Sequence, residues 1–365
     1  MINNKTIAVV VPAFNEEKQI KTVIETIPEF VDRIVIVNDG SEDRTEEIVK
    51  SLWRYEWNKG ITIPDLTRKV IEGRFERVNY ILQQLLKEEI NFFPLSSVAN
   101  SDDERERIIL INHQKNNGVG AAVARGYKWC KDHGIDCVAK LDGDGQMDPA
   151  ELENICRPVV VDGIDYVKGN RLIHGGANMV IPRVRFFGNS ILSILTKIAS
   201  GYWSVSDTQT AFTAISNKAL NSIKIHKLYH SYGYPNDILV KLNIALCTLK
   251  EVEIKPIYDI GEKSKMKIRK VIIPLVWLLI KSFFKRLWLK YFFKDFHPLF
   301  LLYNFAFLLF IIWIPYLIKM SRIILSGAHA SMETLFAFTF LGVTSIQFIL
   351  FAMWMDIQNN ERLYK

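Results

Sequence analysis

Cysteine is scarce in this 365-residue chain: Cys130, Cys137, Cys156 and Cys247 are all it has, with no CxxC spacing among them. A zinc ribbon or a disulfide framework is therefore not expected, and a reducing compartment is. A secretory leader is not expected either. Met1-Ile2-Asn3-Asn4-Lys5 enters an apolar run of only about five residues, with no small-residue cleavage site after it. No G-x-x-x-x-G-K-[ST] segment occurs, so P-loop hydrolysis is unsupported. The first apolar run does not open onto G-x-G-x-x-G, which argues against a dinucleotide fold.

Acid is missing from one long stretch. Lys263–Lys294 holds ten Lys or Arg and not one Asp or Glu. The whole chain has 46 Lys plus Arg against 39 Asp plus Glu, a formal charge of +7. Without that stretch 36 basic face 39 acidic residues, a charge of −3. The surplus is a local belt, so no general nucleic-acid surface is called for. Trp277, Phe283, Phe284, Trp288, Tyr291, Phe292 and Phe293 interleave the cations at helical spacing. That pattern describes helices lying in the headgroup region of an anionic leaflet, on the cytoplasmic side by the positive-inside rule.

Charge of either sign is absent from Pro298–Ile318 and Thr334–Met355. Each is long enough to span a bilayer, which takes about 20 residues. A short loop joins them, so a transmembrane hairpin with both ends on one side is expected. Three regions follow: a cytosolic catalytic domain over 1–260, basic amphipathic juxtamembrane helices over 261–297, and the hairpin with a short tail over 298–365. The protein is expected to be a multi-pass integral membrane protein, of the cell membrane if prokaryotic. A homo-oligomer is compatible with the juxtamembrane helices, and nothing in the sequence counts subunits.

Hydrophobic residues make up 49% of the chain, which excludes intrinsic disorder. Before residue 260 the pattern is α/β. Ile7–Val11, Arg33–Val37, Ile108–Asn112 and Val138–Leu141 are short β-branched runs typical of buried parallel strands. Helical patterns follow at Glu16–Pro28, from Arg44 onward and at Ala121–His133. The alternation predicts a doubly wound, mostly parallel sheet with ligands at the carboxyl ends of its strands. Ser51–Arg107 reads as an insertion, partly helical through Phe75, Val78, Ile81, Leu82 and Leu85, and polar from Ser96 to Arg107. Packing or oligomer contact suits it better than chemistry.

Polar clusters fall at those strand ends. They are Pro12-Ala13-Phe14-Asn15-Glu16-Glu17, Asn38-Asp39-Gly40-Ser41-Glu42-Asp43, Asn116-Asn117-Gly118-Val119-Gly120 and Asp142-Gly143-Asp144-Gly145-Gln146. Singly, each is also ordinary turn chemistry. Asp142 and Asp144, one residue apart, can aim at one hard cation, and Gln146 can add an amide oxygen. Such oxygen ligands suit Mg²⁺ or Mn²⁺ bridging to a diphosphate. The loop lacks the distal acid of a Ca²⁺ EF-hand. The Gly118–Gly120 turn opens a helix whose amides can serve an anion.

In this order the clusters resemble a family-2 glycosyltransferase of the GT-A fold, in the membrane-anchored polyprenyl-phosphate branch that includes dolichyl-phosphate mannose synthase. The resemblance continues through Gly169-Asn170-Arg171, Pro182-Arg183-Val184-Arg185-Phe186-Phe187-Gly188-Asn189, Asp207-Thr208-Gln209-Thr210-Ala211-Phe212 and Lys263-Ser264-Lys265-Met266, covering about residues 5–270. It implies that Pro12, Ala13, Asn15 and Glu16 line the nucleotide pocket with Asp39 on ribose or base. Gly118 would belong to the same pocket. Asp142 would contact the nucleoside, and Asp144 and Gln146 would hold the metal beside it. Arg171, Arg185 and Lys263-Ser264-Lys265 would meet the acceptor phosphate, a task that suits Arg forks and Lys charges. Asp207 would orient sugar or metal shell.

Departures from the family pattern are the long insertion, Ala211 where Gly is common, and the segment Tyr234-Pro235-Asn236-Asp237, where many relatives carry an acidic residue and Asp237 is the site candidate. No QxxRW segment follows, against a processive synthase. The expected reaction is inverting transfer from a nucleotide-diphosphate sugar, UDP favoured and GDP-mannose admissible, to polyprenyl phosphate. Competing readings are extension of a lipid-linked sugar at a hydroxyl, with Asp237 or Asp207 as base, and a non-catalytic membrane scaffold.

Overall fold

The computed structural model describes residues 1–57, 81, 84–85, 87–100, 106–173, 183–255 and 268–365. Its centre is an eight-stranded sheet in the order β3-β4-β2-β1-β5-β7-β6-β8. The strands are β1 (Ile7–Ala13), β2 (Arg33–Asn38), β3 (Ser96–Val98), β4 (Ile108–His113), β5 (Cys137–Lys140), β6 (Tyr166–Asn170), β7 (Thr213–Ser216) and β8 (Leu249–Glu253). β4, β2, β1 and β5 run parallel. β3 and β7 are antiparallel to their neighbours, while β6 and β8 run parallel.

Every residue of β1 and β2 is buried. Helices cover both faces of a parallel sheet, so its strands need no polar alternation. Val10 faces one apolar layer with Val35, Ile109, Tyr127 and Leu239. Its neighbours Val9 and Val11 face the opposite layer with Ile24, Ile36, Leu110 and Ile155. Each such burial contributes about 1.5–3 kcal/mol relative to exposure. Helices α1 (Ile20–Thr26), α2 (Thr45–Trp57) and α4 (Leu152–Val160) serve the second layer. Helices α3 (Val119–Asp132), α6 (Asn217–Ser222) and α7 (Tyr234–Ile244) serve the first, and α5 (Arg183–Ser200) lies between α4 and α6 in the chain.

The strands and helices expected at residues 7–11, 33–37, 108–112 and 138–141, and after the first three of them, are present within a few residues of those bounds. Four further strands were not anticipated. β3 falls in the insertion, within the stretch expected to be merely polar, because it pairs with β4 at the sheet edge. β6, β7 and β8 are only four or five residues long and carry Lys168, Thr213, Lys250 and Glu251. Polar residues survive there because the sheet end is where charged groups converge. Of the insertion's helical positions, Ile81 and Leu85 are exposed on a helix, and Phe75, Val78 and Leu82 lie outside the described residues.

After the sheet come α8 (Ile268–Trp288), a π-helical turn at Leu289–Lys294, α9 (Pro298–Ser326) and α10 (Met332–Glu361). α8 buries Leu275, Leu279, Phe283 and Leu287 against α5, α7 and α9, and exposes Ile273, Trp277, Ile280, Phe284 and Trp288 at the same spacing. It is apolar on two faces, only one of which the protein covers. α9 and α10 are long and apolar enough to cross a membrane, with 11% and 17% of their most hydrophobic windows buried. Both extend past the uncharged stretches, since backbone bonding continues through Lys319 and Arg322 on one side and Asp356 on the other.

Candidate active site

The carboxyl ends of β1, β2, β5 and β6 meet in one region. Phe14–Glu17 after β1 is laced to the loop after β2: Asn15 N–H donates to Ser41 Oγ at 3.0 Å, Glu42 N–H to Asn15 Oδ1 at 2.9 Å, and Glu16 N–H to Thr45 Oγ1 at 2.9 Å. Asn15 sits at φ +57°, a conformation Asn tolerates better than most residues. Pro12 and Ala13 are buried beside Gly143, where an added Cβ would stand 3.2 Å from the Pro12 carbonyl. That proximity joins the first and fourth clusters.

Asp39 joins the second and third. Its carboxylate takes N–H groups from Asn117 at 3.0 Å and Gly118 at 2.8 Å, and contacts His113 Nδ1 at 2.6 Å. Gly118 has φ +94°, and a Cβ there would come within 2.5 Å of the His230 carbonyl, so only glycine fits. Asp39 thus holds the turn that opens α3.

In the fourth cluster, Asp142 pairs with the buried Lys140, which lies on β5. Asp144 Oδ1 accepts the Gln146 N–H at 3.0 Å, which folds the loop back on itself. A cavity of about 150 Å³ is lined by Asp142, Gln146, Arg171, Gln209, Thr210 and Lys255, among others. Arg171, which lines the same cavity, forms a fork onto Asp207: Nε to Oδ2 at 2.8 Å and Nη2 to Oδ1 at 3.0 Å. Burial alone would raise the Asp207 carboxyl, but Arg171 and Lys168 hold it below its ordinary value. Lys168 is fully buried and donates to the Thr210 carbonyl. Burial pushes it down to about 8 against the pull of Asp207 and Glu251.

The structure therefore brings Asp142, Gln146 and Arg171 to one cavity, with Asp207 directly behind Arg171. Asp237 is placed elsewhere: its carboxylate accepts the Tyr229 N–H at 2.9 Å and pairs with Lys241. Arg185 falls on α5, with its side chain outside the described residues, as are Lys263, Ser264 and Lys265. Gln209, Lys255 and Lys140 join the site although they were not singled out. Lys140 had a usable signal, a lone lysine ending an apolar strand just before the acidic loop.

No group of three or more His, Cys, Asp or Glu placed to hold a metal occurs among the described residues. A closed, all-protein cage is thus not what these side chains form. Asp142, Asp144 and Gln146 on one short loop do fit Mg²⁺ or Mn²⁺, which typically take one or two carboxylates and complete their shell with substrate phosphates and water.

A mostly parallel sheet with acidic and glycine-rich loops at its carboxyl edge is an architecture shared by many α/β proteins that bind phosphorylated ligands. The sequence matches the profile of glycosyl transferase family 2 over residues 8–70 and 94–224, and the chain belongs to that family. It is 28% identical over 256 residues to a UDP-N-acetylglucosamine–dolichyl-phosphate N-acetylglucosaminyltransferase of Methanococcus voltae, covering 70% of this chain and 87% of that one. A dolichyl-phosphate β-glucosyltransferase of Trichomonas vaginalis is 27% identical over 293 residues, 74% of this chain and 70% of the other. Among solved structures, glucosyl-3-phosphoglycerate synthase of Mycobacterium tuberculosis in complex with Mn²⁺, UDP and phosphoglyceric acid aligns with a TM-score of 0.48 and 17% identity, over 78% of each chain.

Proposed function

We propose that this glycosyltransferase moves a sugar from a nucleotide-diphosphate sugar, most readily a UDP-sugar, onto a polyprenyl phosphate, dolichyl or undecaprenyl, with inversion at the anomeric carbon. The observation that carries the reading is that Asp142, Gln146 and Arg171 line one cavity. The acidic loop suits a donor diphosphate with its cation, and Arg171 suits an acceptor phosphate. The names of the relatives, which act on dolichyl phosphate, point the same way.

The chemistry asks little of a protein base. A phosphate monoester has a second pKa of about 6, so the acceptor oxygen is already an anion at neutral pH. It attacks the anomeric carbon as the bond to the departing diphosphate breaks. Arg171, oriented by Asp207, brings its guanidinium charge to the acceptor phosphate. Asp39 and Gly118 shape the nucleotide end, beside Pro12, Ala13, Asn15 and Glu16. Asp144, with Asp142 and Gln146 next to it, would hold a Mg²⁺ or Mn²⁺ that supplies charge neutralisation for the leaving diphosphate. Asp207 and Asp237 are both engaged by cations and backbone N–H groups, an arrangement better suited to orientation than to proton abstraction.

In the same reading the sheet domain faces the cytosol. The uncovered apolar face of α8, with Lys281 and Lys285 exposed beside it, lies in the headgroup layer, and α9 and α10 cross the bilayer. In this proposal Lys263, Ser264, Lys265 and Arg185 add positive charge and hydrogen-bond donors for the lipid phosphate.

The test is incubation of the purified full-length protein with a panel of radiolabelled UDP- and GDP-sugars and either dolichyl phosphate, undecaprenyl phosphate or a lipid-linked sugar. Labelled lipid is expected with a polyprenyl phosphate and UDP release. Product formed solely on the lipid-linked sugar would refute the proposal in favour of extension at a hydroxyl.

A further inference from the structure

Glu251, on the edge strand β8, is part of none of the motifs discussed above. Its carboxylate is nevertheless turned toward the site. Oε1 accepts the Asp207 N–H at 3.0 Å and Oε2 accepts the Ser206 N–H at 2.9 Å. Glu251 thus clamps the backbone from which the Asp207 carboxylate projects onto Arg171. On its other side lies the C-terminal tail. Leu249 N–H donates to the Leu363 carbonyl at 2.7 Å, and Lys365 N–H to the Leu249 carbonyl at 2.9 Å, so Leu363–Lys365 runs parallel along the sheet edge. The Tyr364 hydroxyl reaches Glu251 Oε2 at 3.4 Å. Burial, and then Glu251 itself, push that hydroxyl up to about 12, which keeps it a donor.

A continuous line of contacts therefore runs from the end of α10 through Tyr364, Glu251 and the Ser206–Asp207 backbone to Arg171. We propose that Glu251, steadied by Tyr364, is a positioning residue for acceptor-phosphate recognition: it fixes the Asp207–Arg171 fork and ties its geometry to the last apolar helix. This rests on the reading of Arg171 as an acceptor-phosphate ligand. A carboxylate is needed because both N–H groups require an acceptor. A glutamine in its place offers one oxygen and turns an NH₂ against the other N–H, so the turn must shift.

The test uses full-length protein in detergent, radiolabelled dolichyl phosphate as one probe and UDP as the other. Glu251→Gln is expected to weaken dolichyl-phosphate binding about tenfold, the scale of one charge-assisted hydrogen bond, while UDP binding moves less than about twofold. Tyr364→Phe is expected to weaken it about threefold. Because Glu251 acts through Arg171, the Arg171→Ala/Glu251→Gln double variant should bind dolichyl phosphate no worse than Arg171→Ala. Multiplying effects in the double variant would overturn the proposal. So would an equal loss of UDP binding in Glu251→Gln, which marks general damage. If Arg171→Ala weakens binding and Glu251→Gln does not, the positioning role falls and the acceptor reading stands. If Arg171→Ala leaves dolichyl-phosphate binding unchanged, the acceptor reading falls and takes the positioning role with it.

Discussion

At the scale of single residues, the two aspartates of the Asp142-Gly143-Asp144 loop have different surroundings despite their adjacency. Asp142 is ion-paired to Lys140, whose side chain is almost wholly buried, so part of its charge is already compensated inside the protein. Asp144 folds the loop through Gln146. Asp144→Asn keeps the size and the turn contact but removes the charge a hard cation needs. Transfer should fall at least about a thousandfold, the loss of several kcal/mol of transition-state charge stabilisation. The thermal midpoint should stay within a degree or two. Substantial residual activity would refute the proposal that Asp144 holds a metal.

Lys168 is the residue-scale counterpart behind the site. Its folded value is about 8 against an ordinary 10.5, so between those pH values the unfolded chain holds a proton that the folded chain has released. Stability from this group therefore rises with pH through that window and is flat below it. Lys168→Met should lessen that upward slope in melting midpoints recorded from pH 7.5 to 10, with Lys290 and Lys241, also lowered by burial, keeping the remainder. An unchanged slope would place its origin in another group.

At the scale of elements, the joint between sheet domain and apolar hairpin is a buried polar knot rather than a greasy contact alone. Arg286 of α8 forks onto Asp356 of α10 with both nitrogens at 2.8 Å, and also donates to the Ala199 and Ile198 carbonyls at the end of α5. Tyr291 and Trp203 donate to the same carboxylate. Lys290 donates to Asn243 of α7 at 2.8 Å and to Asn360 of α10 at 2.6 Å. Gly201 is glycine because a Cβ there would stand 2.4 Å from Arg286 Nη1. Removing one partner leaves a buried charge uncompensated, which costs about 3–5 kcal/mol. Asp356→Ala should therefore lower the inactivation temperature in detergent sharply. Arg286→Met combined with Asp356→Leu should recover most of that loss, since matched apolar replacement of a buried pair is often neutral. A double variant as unstable as the single one would show that the carbonyl and tyrosine contacts, and not the charge pair, set the stability of the joint.

At the scale of the whole molecule, the basic belt and the two apolar helices were readable from charge and hydropathy alone, because membrane partitioning depends on summed composition over about 20 residues and little on fold. The parallel half of the sheet was readable for a related reason: strands buried on both faces, such as β1 and β2, must be continuously apolar. The acidic and glycine loops were readable because hard-cation ligation and positive φ each admit few residue types. Membership of glycosyl transferase family 2 follows from their order along the chain.

Other features could not be read in that way. β6, β7 and β8 are short and polar, and their strand character comes from neighbours distant in sequence, such as Lys168 opposite Thr213 and Glu251. Pairing of Asp207 with Arg171, of Glu251 with the Ser206–Asp207 backbone, and of Arg286 with Asp356 joins residues 36 to 70 positions apart. Nothing in local spacing encodes such contacts, which depend on how the sheet order and the helix joint bring the chain back on itself. Sequence by itself determined the strand-end chemistry and the two apolar helices. Only the tertiary structure decided which charges compensate one another, because a buried charge chooses its partner by proximity in space.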